Sequence, residues 1–226
     1  MSLILHIDTS TTSCSVALSN KGSLLHSIAY DNGYSHAENL HPFIKRLLEE
    51  SKLETKDLAA VAISKGPGSY TGLRIGVSAA KGLSFALKIP LIGIDTLQTM
   101  AVAAKELNPQ ASYYCAMIDA RRMEVYTNVY DIQLQAQTQT SALILSDLSI
   151  KQFEKYSSIC FFGNGYNKAH AILSTIQSAV FINNIVPEAK YMIGLAYEKF
   201  LNQDFENLIY FEPFYLKDFL ILKKTS

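Results

Sequence analysis

Two apolar segments, residues 3–7 and 113–118, each end on an aspartate, Asp8 and Asp119, and each leads through a polar turn into a second strand-like run. This strand–Asp–turn–strand pattern, met twice at a spacing of 111 residues in a chain of 226, constrains the fold more than any other feature. It points to two lobes on one plan, each of ordinary domain size. The repeat is one of pattern, because the side chains around the two aspartates share no further identity.

The elements between the aspartates follow the same grammar. Residues 13–19 alternate Cys14, Val16 and Leu18 with small polar residues, Asn20-Lys21-Gly22 is a turn, and residues 23–30 return as a third strand. Leu40, Phe43, Ile44, Leu47 and Leu48 then recur at helical spacing, with Lys45, Arg46, Glu49 and Glu50 opposite. Ser35 with Glu38 makes a capping box for this helix, but Pro42 would then sit in its second turn. The helix therefore begins nearer Asn39 or is kinked at Pro42. A strand at 58–64, a helix over 69–88, a short strand at 91–94 and a helix from Thr96 to Leu107 complete the first lobe. Asn108-Pro109 marks the junction, dividing the chain into residues 1–108 and 109–226. The second lobe offers strands at 113–118, 124–130 and 159–162, and helices near 168–177 and 190–201. Alternating Gln133, Gln135, Gln137 and Gln139 suit the wet face of an edge strand. An aromatic, apolar tail over 210–222 is expected to dock on the body.

Composition excludes several classes. The 20 basic and 20 acidic residues cancel, which disfavours a chain that grips nucleic acid by itself. Cys14, Cys115 and Cys160 are odd in number and far apart, as reduced core thiols of a cytoplasmic protein would be. No run approaches the roughly 20 apolar residues that cross a bilayer, and no membrane association is expected.

Four motifs carry chemistry. In Asp8-Thr9-Ser10-Thr11-Thr12-Ser13, amides and hydroxyls can surround a phosphate while Asp8 orients a metal-bound water. The same residues can simply bond their own backbone as a structural turn. The run Gly66-Pro67-Gly68-Ser69-Tyr70-Thr71-Gly72-Leu73-Arg74-Ile75-Gly76 leads from a strand into a helix that is apolar almost all round. Gly72, Gly76, Ala80 and Ser84 form a smooth ridge at four-residue intervals, and such a helix must be covered on more than one side. One cover is the chain's own sheet; the other is the first helix or another subunit. His36 and His41 are five residues apart, about 140° round a helix, which does not suit a shared metal. Asp119-Ala120-Arg121-Arg122 places two arginines at a strand end, where they can meet phosphate, a partner carboxylate or solvent. No catalytic constellation and no metal site emerges.

The Gly66–Gly76 run, with an aromatic between serine and threonine, resembles the hallmark segment of the TsaB family. Ile7-Asp8-Thr9-Ser10-Thr11, Asp119-Ala120-Arg121-Arg122 with Glu124-Val125-Tyr126, and Pro213 with Tyr215-Leu216-Lys217 are similar to further family segments in the same order. The resemblance implies the actin-like, sugar-kinase-like ATPase (ASKHA) fold: an α/β chain of two similar domains with mixed sheets flanked by helices. It implies a non-catalytic role beside TsaD, a catalytic relative, and TsaE, an ATPase, which together form threonylcarbamoyladenosine next to the anticodon of tRNAs reading codons that begin with A. The tRNA is then met only through the complex, and a homodimer forms when TsaD is absent. The contact helices implied are the first two, with Glu38, His41, Lys45, Leu48, Gly72, Leu73, Gly76, Val77 and Ala80. No cofactor is implied, although Asp8, Thr9, Ser10, Thr11 and Asp119 mark where a nucleotide with magnesium would bind weakly. The alternative is a small-molecule or acyl kinase of the same fold that uses the Asp8 loop.

Overall fold

The computed structural model describes residues 2–31 and 36–217. Strand β1 (Leu3–Asp8) is buried along its whole length because both its faces are covered. Leu3, Leu5 and Ile7 point into one core and Ile4 into another. The antiparallel strands β2 (Cys14–Asn20) and β3 (Ser23–Tyr30) extend the sheet on one side of β1. Parallel strands β4 (Ala60–Gly66) and β5 (Leu91–Asp95) extend it on the other, giving the order β3-β2-β1-β4-β5.

The second sheet repeats the plan. Strand β6 (Tyr113–Asp119) pairs antiparallel with β7 (Glu124–Asp131), which pairs with β8 (Ser141–Ile144). On its other side β6 runs parallel to β9 (Ile159–Phe162), and β10 (Ala179–Ile182) follows, for the order β8-β7-β6-β9-β10. Asp8 and Asp119 each close the central strand of their sheet.

The helices break the symmetry. In the first lobe α1 (His36–Glu50) and α2 (Tyr70–Leu87) lie side by side on one face, where Leu40, Ile44, Leu47 and Val77 meet Leu3, Leu5 and Ile7. Helix α1 starts at His36 and runs through Pro42, which is exposed. The Glu38 carbonyl that loses its helical donor there also lies on an exposed residue, where water can serve it. Ser35, the expected cap, lies outside the described residues. In the second lobe the corresponding connections are short turns at Ser149–Phe153 and Asn167–Ala169 and a single helical turn, α4 (His170–Leu173). The helix expected near 168–177 is thus mostly turns, held by Ser174 and Thr175 hydroxyls that bond nearby backbone carbonyls.

Helix α3 (Thr96–Leu107) joins the lobes, packing Leu97, Met100 and Ala104 with Tyr114, Ala116 and Ile118 of β6. After β10 the chain crosses back. A turn at Ala189–Met192 and α5 (Ile193–Leu201) cover the far face of the first sheet, where Ala189, Met192 and Ala196 pack on Ile4, Ala17, Ala62 and Ile92. Ser15 Oγ accepts the Ala189 amide at 2.9 Å. The tail continues along the first lobe: Glu206 N–H donates to Leu91 O of β5, Phe211 enters the first core, and Phe214 N–H donates to Lys65 O. Residues 189–217, assigned to the second lobe by their place in the sequence, therefore pack on the first lobe.

The alternating glutamines do not form an edge strand. The Asp131 carboxylate accepts the amides of Gln133 and Gln135 and the Gln137 side chain, folding the segment into a turn. The edge is taken instead by β8.

Candidate functional site

The glycine-rich run fixes how α2 meets β1. Ser69 caps the helix, its Oγ accepting the Gly72 amide at 3.3 Å, and the Ser69 amide donates to Ser10 O at 2.6 Å. Thr9 Oγ1 donates to Gly72 O at 2.8 Å. A Cβ at Gly68 would stand 2.2 Å from Ser10 O, one at Gly72 2.1 Å from Thr9 O, and one at Gly76 2.2 Å from Thr9 Oγ1. The glycines exist because the loop after β1 is pressed against the helix backbone. The ridge Gly72-Gly76-Ala80 thus faces the chain's own loop and core.

This corrects the expected contact set. Leu48, Gly72, Leu73, Gly76, Val77 and Ala80 are buried inside the first lobe and offer no surface to a partner. Glu38, His41 and Lys45 are exposed on α1. The accessible face of α2 is a different stripe: Thr71, Ser78, Gly82 and Ala86 are exposed, Ile75, Ala79 and Leu83 half-exposed, and Phe85 is 77% exposed. These residues carry no charge, although exposed Arg74 borders them, and nothing lies within 4 Å of where a Gly82 Cβ would be. Periodicity reveals that α2 is smooth on two sides; it does not say which side the Thr9 loop takes.

The Asp8 loop is correspondingly closed. Asp8, Thr9 and Ser10 have no exposed surface, and Thr11 is half-buried. Asp8 Oδ1 accepts the Ser10 amide at 2.9 Å and the Ser10 hydroxyl at 2.8 Å, so the loop bonds itself. Asp8 Oδ2 is buried with no hydrogen-bond partner among the described residues. The nearby Ser64 hydroxyl is shared with Thr96 Oγ1 at 2.7 Å. Burial raises the Asp8 carboxyl to about 6, against the lowering effect of its Ser10 and Ser64 neighbours. Beside it on β1, His6 is wholly buried with Nε2 2.8 Å from Ser19 Oγ, and burial lowers it to about 3. His36, the first of the two histidines, is buried and donates from Nε2 to Thr11 O at 2.7 Å, fastening the loop to α1. His41 is exposed, so the pair shares no site.

Asp119 sits in different surroundings. It is half-exposed, accepts the Arg121 amide at 2.8 Å and pairs with Lys168. Asn164 Oδ1 accepts the Asp119 amide at 2.9 Å, tying the Gly163-Asn164-Gly165 loop to the strand end. The two aspartates that look alike in the sequence are therefore one closed structural turn and one open, salt-bridged turn.

A cleft of about 500 Å³ opens where the lobes and tail meet, lined by Lys65, Asp95, Asn128, Tyr130, Thr140 and Phe214 among others. Asp95 caps α3 through the Gln98 amide at 3.0 Å and accepts the Tyr130 hydroxyl at 3.1 Å. Burial raises its carboxyl, and Lys65 works the other way. Neither Lys65 nor Asp95 belongs to a motif in the sequence. The available signal was their place at the carboxyl ends of parallel strands, where open α/β sheets form crevices.

Comparison with known proteins identifies this architecture. Residues 32–218 match the family model described as TsaD, tRNA N6-adenosine threonylcarbamoyltransferase. A Haemophilus influenzae tRNA threonylcarbamoyladenosine biosynthesis protein TsaB is 32% identical, covering 98% of this chain and 96% of that protein. The Escherichia coli TsaB is 31% identical over 98% of this chain and 97% of its own length. A Pseudomonas aeruginosa structure described as similar to the peptidase YEAZ superposes with a TM-score of 0.85 at 28% identity, over 96% of this chain and 100% of that one. A Clostridium difficile activator of 2-hydroxyisocaproyl-CoA dehydratase, solved with ADPNP, shares the fold at a TM-score of 0.52 and 10% identity. It covers 91% of this chain and 98% of that one. Two like lobes with mixed five-stranded sheets are thus the actin-like, sugar-kinase-like architecture, and this chain belongs to the TsaB family of tRNA threonylcarbamoyladenosine biosynthesis proteins.

Proposed function

We propose that this chain is a non-catalytic subunit in the synthesis of threonylcarbamoyladenosine on tRNAs reading codons that begin with A. It joins TsaD through the outer faces of α1 and α2, and TsaE completes the assembly in the cytoplasm. The observation that carries the reading is the outer stripe of α2. Thr71, Ile75, Ser78, Gly82 and Ala86 follow one another at three- and four-residue steps without a charge, flanked on one side by exposed Phe85 and Arg74. A helix with one smooth side in the core and another smooth side bare is built to be covered twice. Exposed Glu38, His41 and Lys45 on neighbouring α1 supply the polar rim that such a contact needs. Without TsaD the same stripe pairs with a second copy.

The test is Gly82→Arg. The open space at this position accommodates the side chain in the free protein, so its melting profile should stay close to wild type. Size-exclusion chromatography with light scattering should show the one-to-one complex with TsaD lost. A normal complex would remove the stripe from the interface.

The Asp8 loop is read as a structural plug, and the chain works without a nucleotide of its own there. Asp8→Asn keeps the oxygen that accepts from Ser10 and should leave complex formation and tRNA modification intact. The kinase alternative requires magnesium–ATP binding that this variant abolishes, and detecting that loss would favour it.

A further inference from the structure

The hairpin between β6 and β7 holds a feature that the α1–α2 contact does not use. Arg121 and Arg122 both sit in the left-handed backbone region, with φ of 69° and 48°. Two consecutive residues with side chains are strained in that region, which glycine or asparagine would occupy at less cost. Both arginines are exposed, and among the described residues neither forms an ion pair. The carboxylates beside them are already matched, Asp119 by Lys168 and Glu124 by Lys217 of the tail. The Arg121 amide donates to Asp119 Oδ1 and the Ala120 amide to Glu124 O at 3.0 Å, so the turn is pinned while its guanidinium groups meet no carboxylate among the described residues. In a chain of zero net charge, this is an excess of two cations held on a strained, anchored tip.

We infer that the Arg121–Arg122 turn is where this subunit touches the phosphate backbone of the tRNA. This inference rests on the proposed role within the TsaD complex. Guanidinium forks suit phosphate oxygens, and two adjacent arginines can take successive phosphates or both free oxygens of one. RNA is favoured over an acidic protein because the pathway of the family acts on tRNA, whose backbone is a continuous row of phosphates. The chain as a whole adds no basic field, so the contact contributes to placing tRNA on the assembled complex and does not recruit it alone.

The experiment compares complexes of TsaD with wild type, with Arg121→Gln/Arg122→Gln and with Arg121→Lys/Arg122→Lys. The probe is an unmodified transcript of a tRNA that reads a codon beginning with A. Light scattering first establishes the heterodimer, and tRNA affinity is then measured between 50 and 300 mM salt. The glutamine variant should form the heterodimer, bind tRNA about tenfold or more weakly at 0.1 M salt, and show a salt slope shallower by about 1.5. The lysine variant should recover the slope. Arg122→Gly should melt higher than wild type yet bind tRNA more weakly, separating strain from charge. Unchanged affinity and slope in an intact glutamine complex overturn the inference and leave the subunit role standing. Loss of the heterodimer in the glutamine variant alone makes the turn a protein contact and also overturns it. Magnesium–ATP binding that vanishes with the two arginines, without change in tRNA affinity, assigns the turn to a free nucleotide instead. Failure of wild type to join TsaD removes the subunit role, and the inference falls with it.

Discussion

Replacing Gly72 by alanine adds one methyl group, which the backbone of α2 places 2.1 Å from Thr9 O and 3.3 Å from His36 Cδ2. Intrinsic helix preference favours the alanine by about 1 kcal/mol. Against it stands a clash with a backbone carbonyl, which no rotamer change can relieve, so α2 must lift from β1 or the Thr9 loop must open. Overpacking of this kind costs about 1–3 kcal/mol, and a rigid obstacle puts the case at the upper end. The same movement strains the Thr9 Oγ1–Gly72 O hydrogen bond, worth about 1 kcal/mol. The net loss is about 3 kcal/mol. Gly82→Ala, in the same helix but with no atom near the new methyl, has only the preference term and should gain about 1 kcal/mol. For a chain of this size the melting midpoint moves about 2–4 °C per kcal/mol. Gly72→Ala should therefore melt about 6–12 °C lower and Gly82→Ala about 2–4 °C higher, followed by circular dichroism on heating and in urea. If Gly72→Ala melts with wild type, or the two variants move together, the inner ridge is not packed on the Asp8 loop and the assignment of faces on α2 is wrong.

Two further outcomes follow from buried groups. Asp8 holds its proton more tightly when folded, so its contribution is full in acid and is lost as pH rises through about 6. His6, held neutral with a value of about 3, contributes fully above its ordinary 6.5 and loses that contribution progressively as pH falls from there to about 3. The two slopes oppose each other between about pH 4 and 6, and Asp8→Asn removes one of them. As pH rises over that range the variant should gain stability relative to wild type by about 1.4 kcal/mol per pH unit, measured by urea unfolding at several pH values; a parallel pair of profiles would show that Asp8 does not titrate there. Phe211→Ala empties a place in the first core that only the tail fills, and should cost about 3 kcal/mol by the same assay. A change under 1 kcal/mol would mean that the tail rests on the surface.

Most strands, though not the edge strands β8 and β10, are legible in the sequence because their cause is local. Alternation in β2 and the apolar runs of β1, β4 and β6 are written in consecutive residues, and the aspartates that end β1 and β6 mark the repeat. What was not legible depended on contacts distant in sequence. The small residues of α2 announce close approach without naming what approaches, and Thr9 proved to be the neighbour. The glutamines read as an edge strand by their period, but Asp131 collects their amides into a turn. Asp8 and Asp119 sit alike in the pattern, yet the first is sealed by Gly68, Gly72 and His36 while the second meets solvent and Lys168. The return of α5 to the first lobe has no signal at all in a chain read residue by residue, since its apolar face would fit either sheet.

That return has a consequence for synthesis. A chain made from its N-terminus finishes the second sheet with β10, while the first still lacks Met192, Ala196 and Phe211, which close both of its cores. The lobe translated first is thus the last to mature: until residues 189–217 emerge, Ile4, Ala62 and Ile92 lie bare and the β5 edge is unguarded, a template for aggregation. Stalling late in translation should therefore be more hazardous for this chain than stalling early, and a chaperone holding the nascent protein would be needed longest on its oldest part.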